Sequence, residues 1–145
     1  MSPLKVRDLM TVEVLSVHPA ESVDKVYDAL TERGLRHVAV IDGEGDLVGI
    51  VSQEDLLRHG LAGRSDLPPV LQRVLLRQTR VEEIMTSEVE TAAPDQPLED
   101  AAQVMSKNQI GCLPVVEDWR VVGFLSASDV MKHLTGSPHP PRARA

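Results

Sequence analysis

An internal repeat constrains the fold of this chain more than any other feature of its sequence. Gly49-Ile50-Val51-Ser52-Gln53-Glu54-Asp55 is matched by Gly123-Phe124-Leu125-Ser126-Ala127-Ser128-Asp129. Each copy is an apolar run that ends in Ser and is followed three residues later by Asp, a pattern that predicts a strand running directly into a helix. Upstream, Val6-Arg7-Asp8-Leu9-Met10-Thr11 matches Val81-Glu82-Glu83-Ile84-Met85-Thr86. The sequence therefore predicts two copies of one structural unit.

The spacing between the copies locates a turn. The copies are offset by 75 residues at Met10 and Met85, but by 74 at Gly49 and Gly123. One residue has been lost between these points, and length changes concentrate in surface turns, so we expect a hairpin there. Asp42-Gly43-Glu44-Gly45 has the composition of such a turn.

Each copy predicts elements in the order β-α-β-β-α. Pro19 or Pro94 closes the first strand, and the following helix begins at an N-cap, Ser22, or near Pro97. Gly34 predicts the end of that helix in the first copy. The predicted strands are 12–17, 38–41 and 47–51, and in the second copy 89–92, 113–116 and 121–125. The apolar helix stripes are Val23, Val26, Tyr27 and Leu30, and then Leu98, Ala101, Ala102 and Met105.

The predicted fold class is α/β (α+β), with two pseudo-symmetric β-α-β-β-α repeats, residues 4–59 and 79–134, packed sheet to sheet. A repeat of about 55 residues is marginally stable alone, and twofold pseudo-symmetry places two equivalent clefts between the repeats. Residues 60–78 are predicted to be a linker with a short helix, and residues 135–145 a disordered tail. We expect the apolar face of the linker helix to pack on the repeats, a partner protein being the alternative; that face is Val70, Leu71, Val74 and Leu75.

Composition excludes several classes of function. The net charge of −7 argues against a nucleic-acid-binding face, and Trp, Tyr and Phe occur once each, which leaves no platform for base stacking. The single cysteine, Cys112, excludes an internal disulfide and a cysteine-rich zinc site. We find no signal-peptide core and no apolar run of the roughly 20 residues that a membrane span needs. We therefore expect a soluble cytoplasmic protein with no nucleic-acid or membrane partner.

The repeated motifs resemble those of the CBS-domain family. The resemblance rests on Met-Thr, a Pro before the first helix, an apolar run ending in an acidic residue, and Gly-x-[Val/Leu]-Ser-x-x-Asp, all occurring twice in tandem. Such a pair is called a Bateman module. The resemblance implies a homodimer that binds an adenosine-containing ligand in the clefts between its repeats. AMP, ADP, ATP and S-adenosylmethionine are the ligands implied, and a separate, unidentified effector protein would read the bound state.

The resemblance also implies site residues. Asp55 and Asp129 would hold ribose hydroxyls, and Ile50 or Phe124 would lie against the base. Their companions in the same motifs are Ser52, Glu54, Ser126 and Ser128. Positions at the start of the second strand would contribute as well: Leu35, Arg36, His37, Ile110, Gly111 and Cys112.

Each cleft would further draw on the other repeat. His18 and Val23 would complete the Asp129 cleft, and Ala93 and Leu98 the Asp55 cleft. Only the first repeat has basic residues, Arg36 and His37, at the start of its second strand; Gly111 and Cys112 stand there in the second repeat. The clefts are therefore expected to be unequal, and one should bind better than the other.

Two motifs have simpler structural interpretations beside the functional ones. Ser52-x-x-Asp55 and Ser126-x-x-Asp129 fit a helix capping box, a role that is compatible with holding a ribose. The pairs Arg58-His59 and Lys132-His133 are either partners of the helix dipole or groups that neutralise ligand phosphates. Both interpretations stay open for these cations.

Neither metal binding nor catalysis is indicated. The five histidines show no zinc-ligand spacing, and the sequence has no glycine-rich phosphate loop, nucleophile elbow or triad. We therefore expect a protein that is not an enzyme and has no catalytic cofactor. Two other hypotheses are a dimerisation module with degenerate clefts and, with less support, an enzyme with an unrecognised site.

Overall fold

The computed structural model describes residues 3–136, so the predicted tail from residue 137 onward lies outside the described residues. The helices are α1 (Val6–Leu9), α2 (Asp24–Glu32), α3 (Gln53–Arg58), α4 (Pro69–Gln78), α5 (Val81–Ile84), α6 (Leu98–Asn108) and α7 (Ala127–Leu134). The strands are β1 (Ser16–Val17), β2 (His37–Ile41), β3 (Leu47–Ser52), β4 (Cys112–Glu117) and β5 (Arg120–Ser126). Among the described residues, no helix has the length and apolar character needed to cross a membrane.

The chain divides into two compact units that do not follow the sequence repeats. Of the described residues, 15–89 form the central unit, and 3–14 together with 90–136 form the terminal unit. The Met-Thr segment that begins each repeat in sequence is therefore placed with the strands and helices of the other repeat. The sheet-to-sheet packing of the two repeats stays a prediction.

The central unit contains a three-stranded sheet in the order β1-β2-β3. Strand β1 runs parallel to β2, and β2 and β3 form an antiparallel hairpin. This confirms the predicted β-α-β-β-α order in the first repeat, although the first strand covers residues 16–17 and not 12–17. The buried core between sheet and helices consists mainly of aliphatic side chains: Val17, Val23, Val26, Leu30, Val38, Val40, Val51, Leu56, Leu61, Leu76, Val81 and Ile84.

Within the described part of the terminal unit, the β4-β5 hairpin is the only regular sheet, so the predicted strand over residues 89–92 is wrong. Ala92 alone forms a bridge to β4, through N–H···O bonds to Pro114 (2.9 Å) and from Val116 (2.8 Å). Proline explains the difference, because it has no backbone N–H to extend the ladder. In the first copy Ala39, which is equivalent to Pro114, donates its N–H to the Leu15 carbonyl at 3.0 Å.

The linker helix α4 exists as predicted, but it packs through a different face. Its buried side chain is Leu76, and both carboxylate oxygens of Asp28 accept hydrogen bonds from the Arg73 guanidinium at 3.2–3.3 Å. Burial of Leu76 and the pairing of Arg73 with α2 together orient the helix, and apolar patterning alone did not show that. The face that we expected to be buried is exposed: Val70, Leu71, Val74 and Leu75.

Local signals at the first long helix were partly right. Helix α2 begins at Asp24 and not directly after Ser22, whose hydroxyl donates to the Arg77 carbonyl at 2.8 Å, so the predicted Ser22 cap is wrong. Gly34 follows the end of α2 with φ of +67°, which confirms the predicted stop. In the second repeat Pro97 is the N-cap residue of α6, as predicted.

Both hairpins confirm the predicted one-residue difference. Ile41 pairs with Leu47, and Val116 pairs with Val121, so the first hairpin holds residues 42–46 where the second holds 117–120. Asp42 organises the longer turn, because its Oδ1 accepts the N–H groups of Glu44 and Asp46 at 2.9 and 3.0 Å.

Candidate functional site

The repeated motif forms the same strand-to-helix corner in both units. Strand β3 ends at Ser52 and α3 follows at once, and β5 and α7 meet in the same way at Ser126. The Ser52 hydroxyl accepts the N–H of Asp55 at 3.3 Å, and the Ser126 hydroxyl accepts that of Asp129 at 3.1 Å. The capping interpretation is therefore confirmed for both serines.

Asp55 is a buried carboxylate whose oxygens are fully engaged. It is 3% exposed, and its Oδ2 accepts the backbone N–H of Ser52 at 2.8 Å and the Ser52 hydroxyl at 3.1 Å. Its Oδ1 accepts Arg58 Nη1 and Thr86 Oγ1, each at 3.2 Å. Four donors thus occupy the roughly four lone-pair positions of a carboxylate.

Asp129 is also buried, at 7% exposure, in the equivalent corner of the terminal unit. Its surroundings differ from those of Asp55, because Ser128 takes the place of Glu54 and its hydroxyl lies 3.1 Å from that of Ser126. Lys132, the equivalent of Arg58, is exposed in the last turn of α7. Glu54 is exposed and accepts a hydrogen bond from Arg58 at 3.3 Å.

Three of the predicted residues at the start of the second strands lie at these corners: His37, Gly111 and Cys112. His37 pairs with Ser52 across β2 and β3, and Cys112 pairs with Ser126 across β4 and β5. Gly111 joins the second corner through its carbonyl, which accepts the Ala127 N–H at 2.8 Å. The two corners therefore differ in the side chain that lies opposite the motif: His37 in the first and Cys112 in the second.

The groups opposite the acids have shifted pKa values. Burial lowers the pKa of His37, the nearby Arg36 cation lowers it further, and Asp55 opposes both effects. Burial raises the pKa of the Cys112 thiol to about 12, with a further contribution from the Asp129 charge. The Cys112 thiol is therefore protonated at neutral pH, which agrees with a small pocket-lining or buried residue and not with a nucleophile.

Sequence reasoning missed a contact that the Met-Thr segments make with the corners. Thr86 exchanges two backbone hydrogen bonds with Ile50, at 2.9 and 3.0 Å, and Thr11 does the same with Phe124, at 2.8 and 2.9 Å. Thr86 thereby reaches Asp55 with its side chain. The repetition of Met-Thr was a visible signal, but nothing in the sequence connects residues 31 positions apart.

These segments explain the glycine that begins each corner motif. A Cβ atom on Gly49 would lie 2.7 Å from Met85 Sδ and 3.0 Å from the Thr86 carbonyl oxygen. A Cβ atom on Gly123 would lie 2.7 Å from the Thr11 carbonyl oxygen. The neighbouring backbone therefore requires glycine at position 123, whereas at position 49 the closest atom belongs to a flexible methionine side chain.

The remaining predicted contacts have varied settings within their own units. Val23 is fully buried and Leu98 is 8% exposed, whereas His18 and Ala93 are exposed. Ile50 and Phe124 are 9% exposed, and Leu35 and Ile110 are half-buried against the cores of their units. The contribution of residues from one repeat to a cleft with the other stays a prediction.

Two other features of the described residues lie away from the corners. The carboxylates of Asp42, Glu44 and Asp46 lie within 4.8 Å of one another in the first hairpin turn. The Asp42 carboxylate already accepts a backbone hydrogen bond from Glu44 there. Equivalent hollows lie beside α2 and α6; the first is lined by Leu15, Glu21 and Asp28 among others, and the second by Glu90, Gln96 and Gln103. Neither hollow is lined by a predicted site residue.

Comparisons with known proteins agree with the repeat. The family model described as CBS domain matches residues 6–62 and 81–136. A homoserine O-acetyltransferase of Methanohalobium evestigatum is 29% identical over 133 residues, which are 91% of this chain and 24% of the relative. This chain thus spans about a quarter of the length of that curated relative.

Solved structures extend the likeness to ligand-bound proteins. The CBS domain pair of protein MJ0100 in complex with 5′-methylthioadenosine and S-adenosyl-L-methionine has a TM-score of 0.75 at 28% identity, covering 93% of this chain and 98% of that one. CBSX2 in complex with AMP has a TM-score of 0.72 at 29% identity, covering 91% and 96%. With both repeats matched by the family model and by solved CBS domain pairs, this chain belongs to the CBS-domain family.

Proposed function

We propose that this protein is a regulatory module that binds an adenosine-containing ligand at its two corners. The observation that carries the proposal is the pair of equivalent buried carboxylates, Asp55 and Asp129, each in the first turn of a helix that directly follows a strand. A carboxylate at such a corner suits two vicinal hydroxyls, which a ribose supplies. The ligands of the similar CBS pairs, AMP, S-adenosyl-L-methionine and 5′-methylthioadenosine, all contain that ribose.

The proposed module senses its ligand and does not transform it. AMP, ADP, ATP or S-adenosylmethionine would favour one arrangement of the repeats, and a separate effector protein would respond to that arrangement. We further propose that the protein is a homodimer and acts in the cytoplasm. The fusion of similar CBS regions to much longer enzymes supports a regulatory role, since this chain matches only 24% of such a relative.

Isothermal titration with AMP and with S-adenosylmethionine tests the proposal. We expect Asp55→Ala and Asp129→Ala each to abolish binding at one corner, while Glu99→Ala, which removes an exposed acid from the first turn of α6, leaves both intact. Asp→Asn variants keep the shape of the side chain and guard against loss of folding. Absence of binding by the unmodified protein at millimolar ligand would refute the sensor function, and product formation would indicate an enzyme.

One observation favours the alternative function, dimerisation without ligand. Leu57 on α3 and Met131 on α7 occupy equivalent positions of the repeats and are 51% and 56% exposed. On α7, Leu134 is also exposed one turn from Met131, and neighbouring exposed apolar groups mark protein interfaces. Under the alternative, Leu57→Glu with Met131→Glu would convert a dimer to a monomer in sedimentation velocity, and no adenosine compound would bind.

A further inference from the structure

We propose that Arg58 occupies the ligand position of the Asp55 carboxylate in the free protein, and that a ribose must displace it to bind. This inference rests on the proposed function and concerns the regulation of the same corner. Three observations support it: Asp55 accepts from four donors, these donors differ in how firmly the surrounding structure holds them, and the second corner has Lys132 in place of Arg58.

The carboxylate offers no unoccupied acceptor position for a diol. Oδ2 is held by two groups of Ser52, and Oδ1 by Arg58 and Thr86, at 2.8–3.2 Å. Two vicinal hydroxyls need about two of the roughly four lone-pair positions of a carboxylate. At least one protein donor must therefore leave when the ligand arrives.

The four donors differ in how readily they can leave. The Ser52 N–H is fixed by the corner backbone, and the Ser52 hydroxyl also caps α3 by accepting the Asp55 N–H. Thr86 is held in place because its backbone exchanges two hydrogen bonds with Ile50. Arg58 is different, since its side chain is 57% exposed and flexible. Its guanidinium is largely in contact with water although Asp55 is buried, so it loses little solvation by leaving, and Arg58 is the donor that a ligand displaces most easily.

Displacement would not leave the guanidinium unpaired. Arg58 Nη2 already lies 3.3 Å from Glu54 Oε1, which is exposed and can hold the cation after its release from Asp55. A ligand that carries phosphate offers the cation a stronger partner than Glu54 does. Removing Arg58 should therefore affect neutral and charged ligands differently. A neutral nucleoside loses only a competitor for Asp55, whereas a nucleotide also loses a partner for its phosphate.

The second corner supplies the matched control. Lys132 stands where Arg58 stands, but its ammonium makes no hydrogen bond or ion pair among the described residues, and Ser128 replaces Glu54. Lys132→Met should therefore leave adenosine binding unchanged. Arg58→Met removes the competing cation while keeping an unbranched apolar stem.

Isothermal titration of the full chain with adenosine and with AMP tests the inference. We expect Arg58→Met to tighten adenosine binding about threefold, a modest gain because the Arg58 cation itself is largely exposed, and to lower the ratio of AMP to adenosine affinity about tenfold. 2′-Deoxyadenosine, with one hydroxyl fewer, should gain less from Arg58→Met. Circular dichroism verifies that the variants are folded.

The outcomes separate this inference from the function it rests on. If the unmodified protein binds adenosine and Arg58→Met binds it equally or more weakly, Arg58 is no competitor and only the inference is wrong. If neither protein binds adenosine or AMP, the proposed function fails and the inference fails with it. A threefold gain that appears equally with Lys132→Met would show a general charge effect and would also overturn it.

Discussion

The two corners share a backbone and differ in chemistry, which shows what the repeated motif does and does not determine. In both units Gly, Ser and Asp produce a strand that ends in a capped helix with a buried acid at its third position. The Asp55 corner then adds an imidazole, His37, and a cation, Arg58, whereas the Asp129 corner has a protonated thiol, Cys112, opposite its acid. The motif thus fixes the backbone geometry, and residues outside it set the chemistry around each acid.

The largest expected difference between the corners concerns their glycines. Gly123→Ala should destabilise the protein by about 3 kcal/mol and Gly49→Ala by about 1 kcal/mol, within the range for overpacked sites. The new methyl group would meet backbone, the Thr11 carbonyl oxygen, first at Gly123, but a flexible methionine sulfur, Met85 Sδ, first at Gly49. Urea unfolding measures both values.

Gly43→Ala is the control for these substitutions, because nothing lies within 4 Å of a Cβ atom at that position. Equal losses of stability for Gly49→Ala and Gly123→Ala would mean that the two Met-Thr segments move aside equally easily. The difference in contact geometry would then have no energetic consequence.

A smaller difference is expected at the serines. Ser52→Ala should cost about 2 kcal/mol and Ser126→Ala about 1 kcal/mol, the upper and middle range for N-caps. Ser52 both accepts the Asp55 N–H and donates to the Asp55 carboxylate, so its loss leaves a buried acid one donor short. Urea unfolding with Ser106→Ala as an exposed helical control checks the values; a larger loss at Ser126 would contradict this account.

The smallest effect should appear in the pH dependence of stability. Because the pKa of His37 is lowered in the folded state from its ordinary 6.5, the unfolded chain takes up the proton first as the pH falls. Stability contributed by neutral His37 is therefore lost below pH 6.5. His37→Gln should reduce the fall in Tm between about pH 7 and the acid side of that pKa. An unchanged fall would show that other groups cause it.

Much of the fold was predictable because its signals are local. The hairpins and the strand-to-helix corners follow from apolar runs, turn residues and capping serines that are close in sequence. The missing first strand of the second repeat depended on Pro114 in a different strand, and the packed face of α4 depended on Asp28, 45 positions from Arg73. Such errors arise where a distant partner outweighs local pattern.

The same limit applies to the candidate site. The sequence pattern located Asp55, Asp129 and the residues opposite them, His37 and Cys112. It did not predict the contact of Thr86 with Asp55, since backbone pairing with Ile50 brings them together. It also assigned Arg58 to the helix dipole or to a ligand phosphate, and neither interpretation included its hydrogen bond to Asp55.

The placement of the Met-Thr segments has a consequence for how such a protein can be cut and recombined. A fragment that ends where the first repeat ends would lack α5 and Thr86, whereas residues 15–89 form one continuous stretch with its complete set of internal contacts. The boundaries of this compact unit are therefore shifted relative to those of the sequence repeat. A cut at the repeat boundary would separate Thr86 from Ile50, and so remove from the first corner the segment that pairs with it.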